Sequence, residues 1–414
     1  MGTPLLTLTL LLSGCSFESS GAPARDLDRP DSVSEVAWEW EAGSDTEWLN
    51  VLPVFGGIAV LDGAGVTVLD GGTGEVRWEY RPGSDRVVGA VTSDGAYVVL
   101  EEDDPDRRGS DRMHVVDAAT GESVRESAFD LTSRRAPGSS GAQRWIRHSL
   151  SNVSLEHELW LNREDSEAVG LRWSDGEAAW SSSEVRDCDG IGAVGSLALV
   201  DEVLLGAVTC YPWDEQAAED DPDHDPLYDT SLEFDSQVVA WNAVDGAELW
   251  RLDLPGAESP LESRNRRLTV HPSGVVSVDL TSRSSGYWID PATAEYGLVE
   301  EAGVVGVFDE GRSLGLWRNG RYRIEDRSGE VSSRWSEPSG HEPPLVVSGG
   351  TLRVEDLEGA SGEMVFARFH NEDTETELSR EFGEGTEILP GAVVPGAVVV
   401  PYLDVEGGGV LGLR

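Results

Sequence analysis

The sequence predicts an all-β chain built from one repeated sheet, on three observations. A unit of alternating apolar residues, a Gly-containing turn and a short outgoing strand recurs along it; 48 Gly and 20 Pro punctuate its 414 residues; and Trp dominates the aromatics, 14 against 8 Tyr and 8 Phe. Period-two apolar runs belong to strands buried on one or both faces, and turn formers at this density leave little room for long helices. Two or three ordinary domains would fit the length, but a radial array of sheets absorbs it as one.

The clearest copy of the unit runs from Val66 through Asp70, Thr73 and Gly74 to Trp78. A second runs from Met113 through Asp117, Thr120 and Gly121, and a third from Val238 through Gly246 to Trp250. Weaker copies cover 169–180, 287–298, 322–335 and 364–382. Asp and Thr supply side-chain to backbone hydrogen bonds in the turn, and Gly takes the positive φ that closes it. Trp, four residues past that Gly, then lies on the outgoing strand, where its ring fills the wedge between neighbouring sheets.

Counting the strand before each turn places units near Val66, Met113, Ala168, Val238, Gly286, Gly320, Glu363 and Val410. This makes eight, or seven if the copy at Gly320 is not a unit of its own. Residues 409–414 read as a third strand lacking its fourth, while 35–45 repeats 75–85. The opening strand is therefore expected to complete the last sheet, leaving no sheet edge between first and last units.

Asp-x-x-Thr-Gly-x-x-x-Trp, as in Asp70 to Trp78, resembles the tryptophan docking repeat of quinoprotein-type (PQQ-like) propellers over most of 36–414. The resemblance implies an eight-bladed β-propeller of four-stranded antiparallel blades, with seven blades as the alternative. Enzymes of this class hold PQQ in the central channel against a vicinal Cys-Cys disulfide and a Trp floor, with Ca²⁺ and an Asp base. Cys188 and Cys210 are not vicinal, and no ligand set matches residue by residue, so no catalytic residue is assigned and no cofactor is expected. The same repeat class includes the lipoprotein of the outer-membrane barrel-assembly machine, a likeness of fold only.

The first residues give an address. The apolar stretch 3–12 is too short for a bilayer of ~30 Å and reads as the core of a signal peptide, 1–14. Leu12-Ser13-Gly14-Cys15 resembles the bacterial lipobox, which implies that Cys15 carries lipid and becomes the mature N-terminus, although the preceding residues hold no Arg or Lys. Residues 15–34 are small, charged and Pro-containing, as in a tether, and 35–414 form the propeller. The expected location is the extracytoplasmic face of a membrane. With Cys15 lipidated, Cys188 and Cys210 remain as a pair in an oxidising compartment, and a disulfide is expected.

Net charge is −46 and every one of the 31 basic residues is Arg. Nucleic-acid binding needs a basic stripe, and none is present. The expected partners are the membrane, through the anchor, and a protein or small molecule. Two acidic runs stand out. Residues 101–106 read as a solvated loop, with Ca²⁺ the competing reading. Within 211–235, Asp221, Asp223 and Asp225 have the alternating spacing of an EF-hand loop but lack its sixth-position Gly and its Glu at twelve. A loop is the first reading there and Ca²⁺ the second, and this insertion is the first choice for a functional surface. The function expected is a non-catalytic binding or scaffold propeller of the cell envelope; the alternative is a PQQ-dependent dehydrogenase or a propeller hydrolase with its site in the central channel.

Overall fold

The computed structural model describes residues 30–414 apart from 31, 44–45, 47–48, 83–86, 93, 104–110, 127–144, 147–156, 163–166, 175–176, 183–190, 212–232, 255–265, 272, 280–285, 300–301, 309–312, 319–320, 330–344, 348–349, 359–363, 371–374, 381, 383–385, 390 and 405–406. The signal peptide and most of the tether, Cys15, Cys188 and Asp221, Asp223 and Asp225 lie outside the described residues.

The described residues form strands in eight antiparallel sheets. After β1 (Val36–Glu41), sheet I is β2 (Asn50–Val54), β3 (Gly57–Leu61), β4 (Val66–Asp70) and β5 (Val76–Tyr80). Sheet II is β6 (Val87–Val91), β7 (Tyr97–Asp103), β8 (Asp111–Asp117) and β9 (Ser123–Glu126). Sheet III is β10 (Trp145–Ile146), β11 (His157–Asn162), β12 (Glu167–Arg172) and β13 (Ala178–Ser181). Sheet IV is β14 (Ile191–Val200), β15 (Val203–Tyr211), β16 (Asp235–Asn242) and β17 (Glu248–Asp253).

Sheet V is β18 (Arg267–Val270), β19 (Val276–Asp279), β20 (Gly286–Asp290) and β21 (Glu295–Val299). Sheet VI has three described strands, β22 (Gly303–Phe308), β23 (Ser313–Arg318) and β24 (Arg321–Asp326). Sheet VII is β25 (Leu345–Val347), β26 (Gly350–Glu358), β27 (Met364–His370) and β28 (Glu375–Arg380). Sheet VIII holds β29 (Glu387–Ile388), β30 (Ala392–Val394), β31 (Ala397–Asp404) and β32 (Gly407–Leu413). The strand that completes sheet VIII comes from the start of the chain: β1 pairs with β32, Trp40 opposite Val410 and Glu41 opposite Gly409. The Ser34 and Glu35 amides add hydrogen bonds to the Arg414 carbonyl, and Val33 is fully buried.

The middle strands carry the core because both of their faces are covered. Every residue of β3 (GIAVL) is buried, whereas in β5 (VRWEY) none is. Apolar residues collect in wedges between consecutive sheets. Ala59, Val68 and Trp78 of sheet I meet Val98 and Leu100 of sheet II; Leu205 and Val238 of sheet IV meet Val276 and Tyr287 of sheet V. Trp38, Val399 and Val410 of sheet VIII meet Ile58 and Leu69 of sheet I.

Four of the joints between consecutive sheets are pinned by an indole. Trp38 Nε1 donates to the Gly71 carbonyl (3.1 Å), Trp78 to Ala118 (2.9 Å), Trp180 to Ala243 (3.1 Å) and Trp250 to Pro291 (3.1 Å). In every case the acceptor belongs to the turn between the third and fourth strands of the next sheet. In the acceptor turns of sheets I, II and IV a Gly has positive φ, +73° at Gly74, +76° at Gly121 and +73° at Gly246, and the incoming ring lies flush against it. A Cβ at Gly74 would stand 2.6 Å from Trp38, and one at Gly121 2.8 Å from Trp78. Asp70 Oδ1 accepts from the amides of Gly72 and Thr73, and Asp117 does the same for Ala119 and Thr120, so the Asp-x-x-Thr-Gly pattern sets the shape that the next indole reads.

One acidic run departs from its expectation. Glu101, Glu102 and Asp103 belong to β7 rather than to a solvated loop. Glu102 is buried because His114 Nε2 (3.1 Å) and the Tyr80 hydroxyl (3.4 Å) meet its carboxylate between sheets I and II. Burial and the Glu102 charge push the Tyr80 phenol up to about 12.

A candidate binding cavity where the repeat is broken

Sheets IV, V and VI meet in a cavity of about 370 Å³ at the turn ends of their strands. Three turns and one cation build it. The first is the two-residue turn joining β14 to β15, whose Asp201 has φ +52°. Hairpins this short favour positive φ, and Asp tolerates it better than most residues. The second is the turn at 273–275 between β18 and β19. The third is Asp290-Pro291-Ala292-Thr293-Ala294 between β20 and β21. Arg327, just past β24, closes one side.

The turn of sheet V still receives the Trp250 indole on the Pro291 carbonyl, but two positions of its own repeat are changed. Ala294 holds the place of Gly74 and Gly121 and still has φ +59°; Leu298 holds the place of Trp78 and is 51 % exposed. Asp201 and Ala294 are the non-glycine residues of positive φ among those described, and both belong to turns that wall this cavity. In sheets I, III and IV a register shift between the third and fourth strands accompanies the docking Trp on the fourth strand. Sheet V runs in regular register, with Ile289 opposite Tyr296 and Tyr287 opposite Leu298.

Trp288 of β20 serves the joint to sheet VI in place of an outer-strand Trp. It is buried beside Val304, Leu314 and Leu316, and Gly297 opposite it leaves room for the ring. The Arg327 guanidinium lies 4.5 Å over the Trp288 ring centre and reaches Asp290 (3.4 Å) and Glu295 (3.7 Å). A cation reaching back thus replaces an indole reaching forward. Gly329, which follows, has φ +84° but no neighbour within 4 Å of where a Cβ would stand.

Beside the cavity sits His271, buried at the end of β18, with Nε2 3.0 Å from the buried Ser277 hydroxyl. Burial lowers its pKa from 6.5 to about 4. The unfolded chain therefore takes up this proton first. Stability from this group is complete above pH ~6.5 and declines as pH falls towards 4, by up to roughly 3 kcal/mol. His271→Asn, which keeps a hydrogen-bonding side chain but does not titrate, is expected to flatten the fall of the urea midpoint between pH 6.5 and 4.5. Identical slopes for the two proteins would rule this out.

Of the residues singled out in the sequence, Asp70, Thr73, Gly74, Trp78, Asp117, Thr120, Gly121, Gly246 and Trp250 form the docking joints described above. Cys210 lies near the end of β15, buried, opposite Gly192 and Asp235. The insertion chosen as a functional surface starts and ends there, its flanking Tyr211 and Asp235 being strand residues. Among the described residues no three His, Cys, Asp or Glu side chains come together as a metal site. The cavity residues Asp201, Asp290 and Arg327 were not singled out; the legible signal was Ala294 and Leu298 standing where Gly and Trp recur.

No family model matches the chain, and no curated protein matches it. Among solved structures it is similar to BamB from Moraxella catarrhalis, at 13% identity over 92% of this chain and 100% of that one with a TM-score of 0.46, and to a eukaryotic initiation factor, at 12% identity over 90% and 89% with a TM-score of 0.42.

Proposed function

We propose that the chain is a non-catalytic binding propeller of the cell envelope, eight blades closed into a ring by β1 and anchored through lipid on Cys15. What supports the ring is the run of wedges and docked indoles from sheet VIII to sheet I and on to sheet II, with β1 from the start of the chain pairing with β32 as the outer strand of sheet VIII. What supports binding is one observation above the rest: the non-glycine residues of positive φ among those described, Asp201 and Ala294, both stand in turns at one cavity. Strain kept at one place in a repeat is a mark of use rather than of folding. The reading also pairs Cys188 with Cys210, which intact mass before and after reduction reads directly.

A photo-crosslinking residue at Ala292, exposed on the cavity rim, tests the binding reading in intact membranes. A discrete protein adduct is expected there, absent when the crosslinker replaces exposed Glu79 on the outer strand of sheet I, and lost when Cys15→Ser releases the chain from the membrane. Equal adducts at Ala292 and Glu79, or none at Ala292, would remove the reading.

A further inference from the structure

We propose that β21, the outer strand of sheet V, accepts an extended basic segment of a partner protein as an added strand. The inference rests on the shape of one sheet edge and not on the cavity, so either can hold without the other. Its first support is register. β21 ends its sheet, and it pairs with β20 without irregularity, from Asp290 opposite Glu295 to Gly286 opposite Val299. The other described outer strands, β1, β5, β9, β13, β17 and β28, each carry a register shift against their neighbour. Bulges twist an edge away from incoming strands, and charges within the strand guard it further. β1, β5, β9, β17 and β28 hold such charges, at Glu39, Arg77, Arg125, Arg251 and Glu377. After Glu295, β21 reads Tyr-Gly-Leu-Val. Its outward amides and carbonyls make a flat, unguarded template.

The second support is an apolar shelf along that edge. Tyr296 and Leu298 are 45 % and 51 % exposed, and among the described residues no other strand carries two exposed large apolar side chains. They stand opposite Ile289 and Tyr287, which are buried against sheet IV. Opposite residues share a face, so the pair carries the wedge between sheets IV and V outward, beside the partly buried Trp250 and Leu252 of β17. A strand added to β21 lays every second side chain on this shelf. Main-chain hydrogen bonds then supply affinity and the alternate side chains supply specificity.

The third support is charge, which decides between the two possible donors of a strand. A second copy of the chain brings its own net charge of −46 and is repelled, whereas a basic segment is drawn in. The occupant is therefore apolar at every second position with Arg or Lys between.

The test uses the full chain and a fluorescein-labelled peptide, Arg-Val-Arg-Val-Thr-Val-Arg amide. Saturable binding by anisotropy is expected, with hydrogen exchange slowed within 295–299 and unchanged within 76–80. The peptide N-methylated at its backbone amides, and the one with Glu in place of Arg, are expected not to bind. Tyr296→Thr/Leu298→Thr keeps β-branched residues on the strand but removes the shelf, and is expected to weaken binding roughly tenfold. Its urea midpoint should barely move, since both side chains are half-exposed. Leu249→Thr, an exposed apolar residue on the bulged β17, should leave binding unchanged. No slowing at 295–299 under saturating peptide, equal binding by either altered peptide, or undiminished binding by the double variant would overturn the proposal. So would a dimer in sedimentation that the double variant dissolves, which would give the edge to a second copy. Slowed exchange at 295–299 with no adduct at Ala292 in membranes would uphold the edge and remove the cavity reading.

Discussion

Trp180→Ala is expected to lower the unfolding free energy by ~3–5 kcal/mol, the range for removing a large buried aromatic. The indole is held on three sides. Gly246 of sheet IV faces one side of the ring, where a Cβ would stand 2.7 Å away, and Gly170 of its own sheet leaves space on the other, where a Cβ would come within 2.3 Å of Nε1. Nε1 donates to the Ala243 carbonyl, and the ring joins Leu159, Val194 and Trp241 in the wedge between sheets III and IV. Truncation leaves a slot bordered by two glycines, neither of which has a side chain to fill it. Trp180→Phe keeps most of the packing and loses the hydrogen bond, so a smaller loss of ~1–2 kcal/mol is expected. Leu249→Ala, at a half-exposed position on β17, should change stability by less than ~0.5 kcal/mol. Urea unfolding of the three variants orders them; a Trp180→Ala midpoint no lower than that of Leu249→Ala would deny the indole its structural part.

How much of this was legible depended on the range of the interactions. The turn at Asp70 is written locally: Asp, Thr and Gly satisfy one another within five residues, so the pattern could be read directly. The strand pairing of β1 with β32 was legible because residues 35–45 repeat 75–85. The acceptor of the Trp78 indole was not, since Ala118 is 40 residues away and belongs to the next sheet. Glu102 was misread for the same reason. Its own neighbours are acidic and suggest water, whereas its burial is decided by Tyr80, 22 residues earlier, and by His114 on the adjoining strand. At the cavity, the substitution of Ala294 for Gly and Leu298 for Trp marked a break in the pattern, but that Arg327 would settle over Trp288 follows only from three-dimensional packing.

Gly412→Ala carries the second large effect, because it acts where the two ends of the chain meet. Gly412 lies on β32 beside Trp38 of β1, and a Cβ there would fall 1.9 Å from the indole, a distance no rotamer adjustment absorbs. On the far side Gly74 blocks retreat, with a Cβ position 2.6 Å from the same ring. The methyl must therefore drive Trp38 out of its slot, breaking its hydrogen bond to the Gly71 carbonyl and opening the wedge of Leu69, Val399 and Val410 between sheets VIII and I. Overpacking alone costs ~1–3 kcal/mol, and displacement of the indole adds a loss like that of Trp180→Ala, so ~3–5 kcal/mol in total is expected. If the damage runs through Trp38, the double variant Trp38→Ala/Gly412→Ala is little worse than Trp38→Ala alone, since the methyl then has nothing to displace. Limited proteolysis gives an independent reading: cleavage within 33–41 should rise in Gly412→Ala while the docked Trp78 joint stays protected. Strictly additive losses in the double variant would show that the glycine acts through the β32 backbone and not through the indole that joins the first sheet to the last.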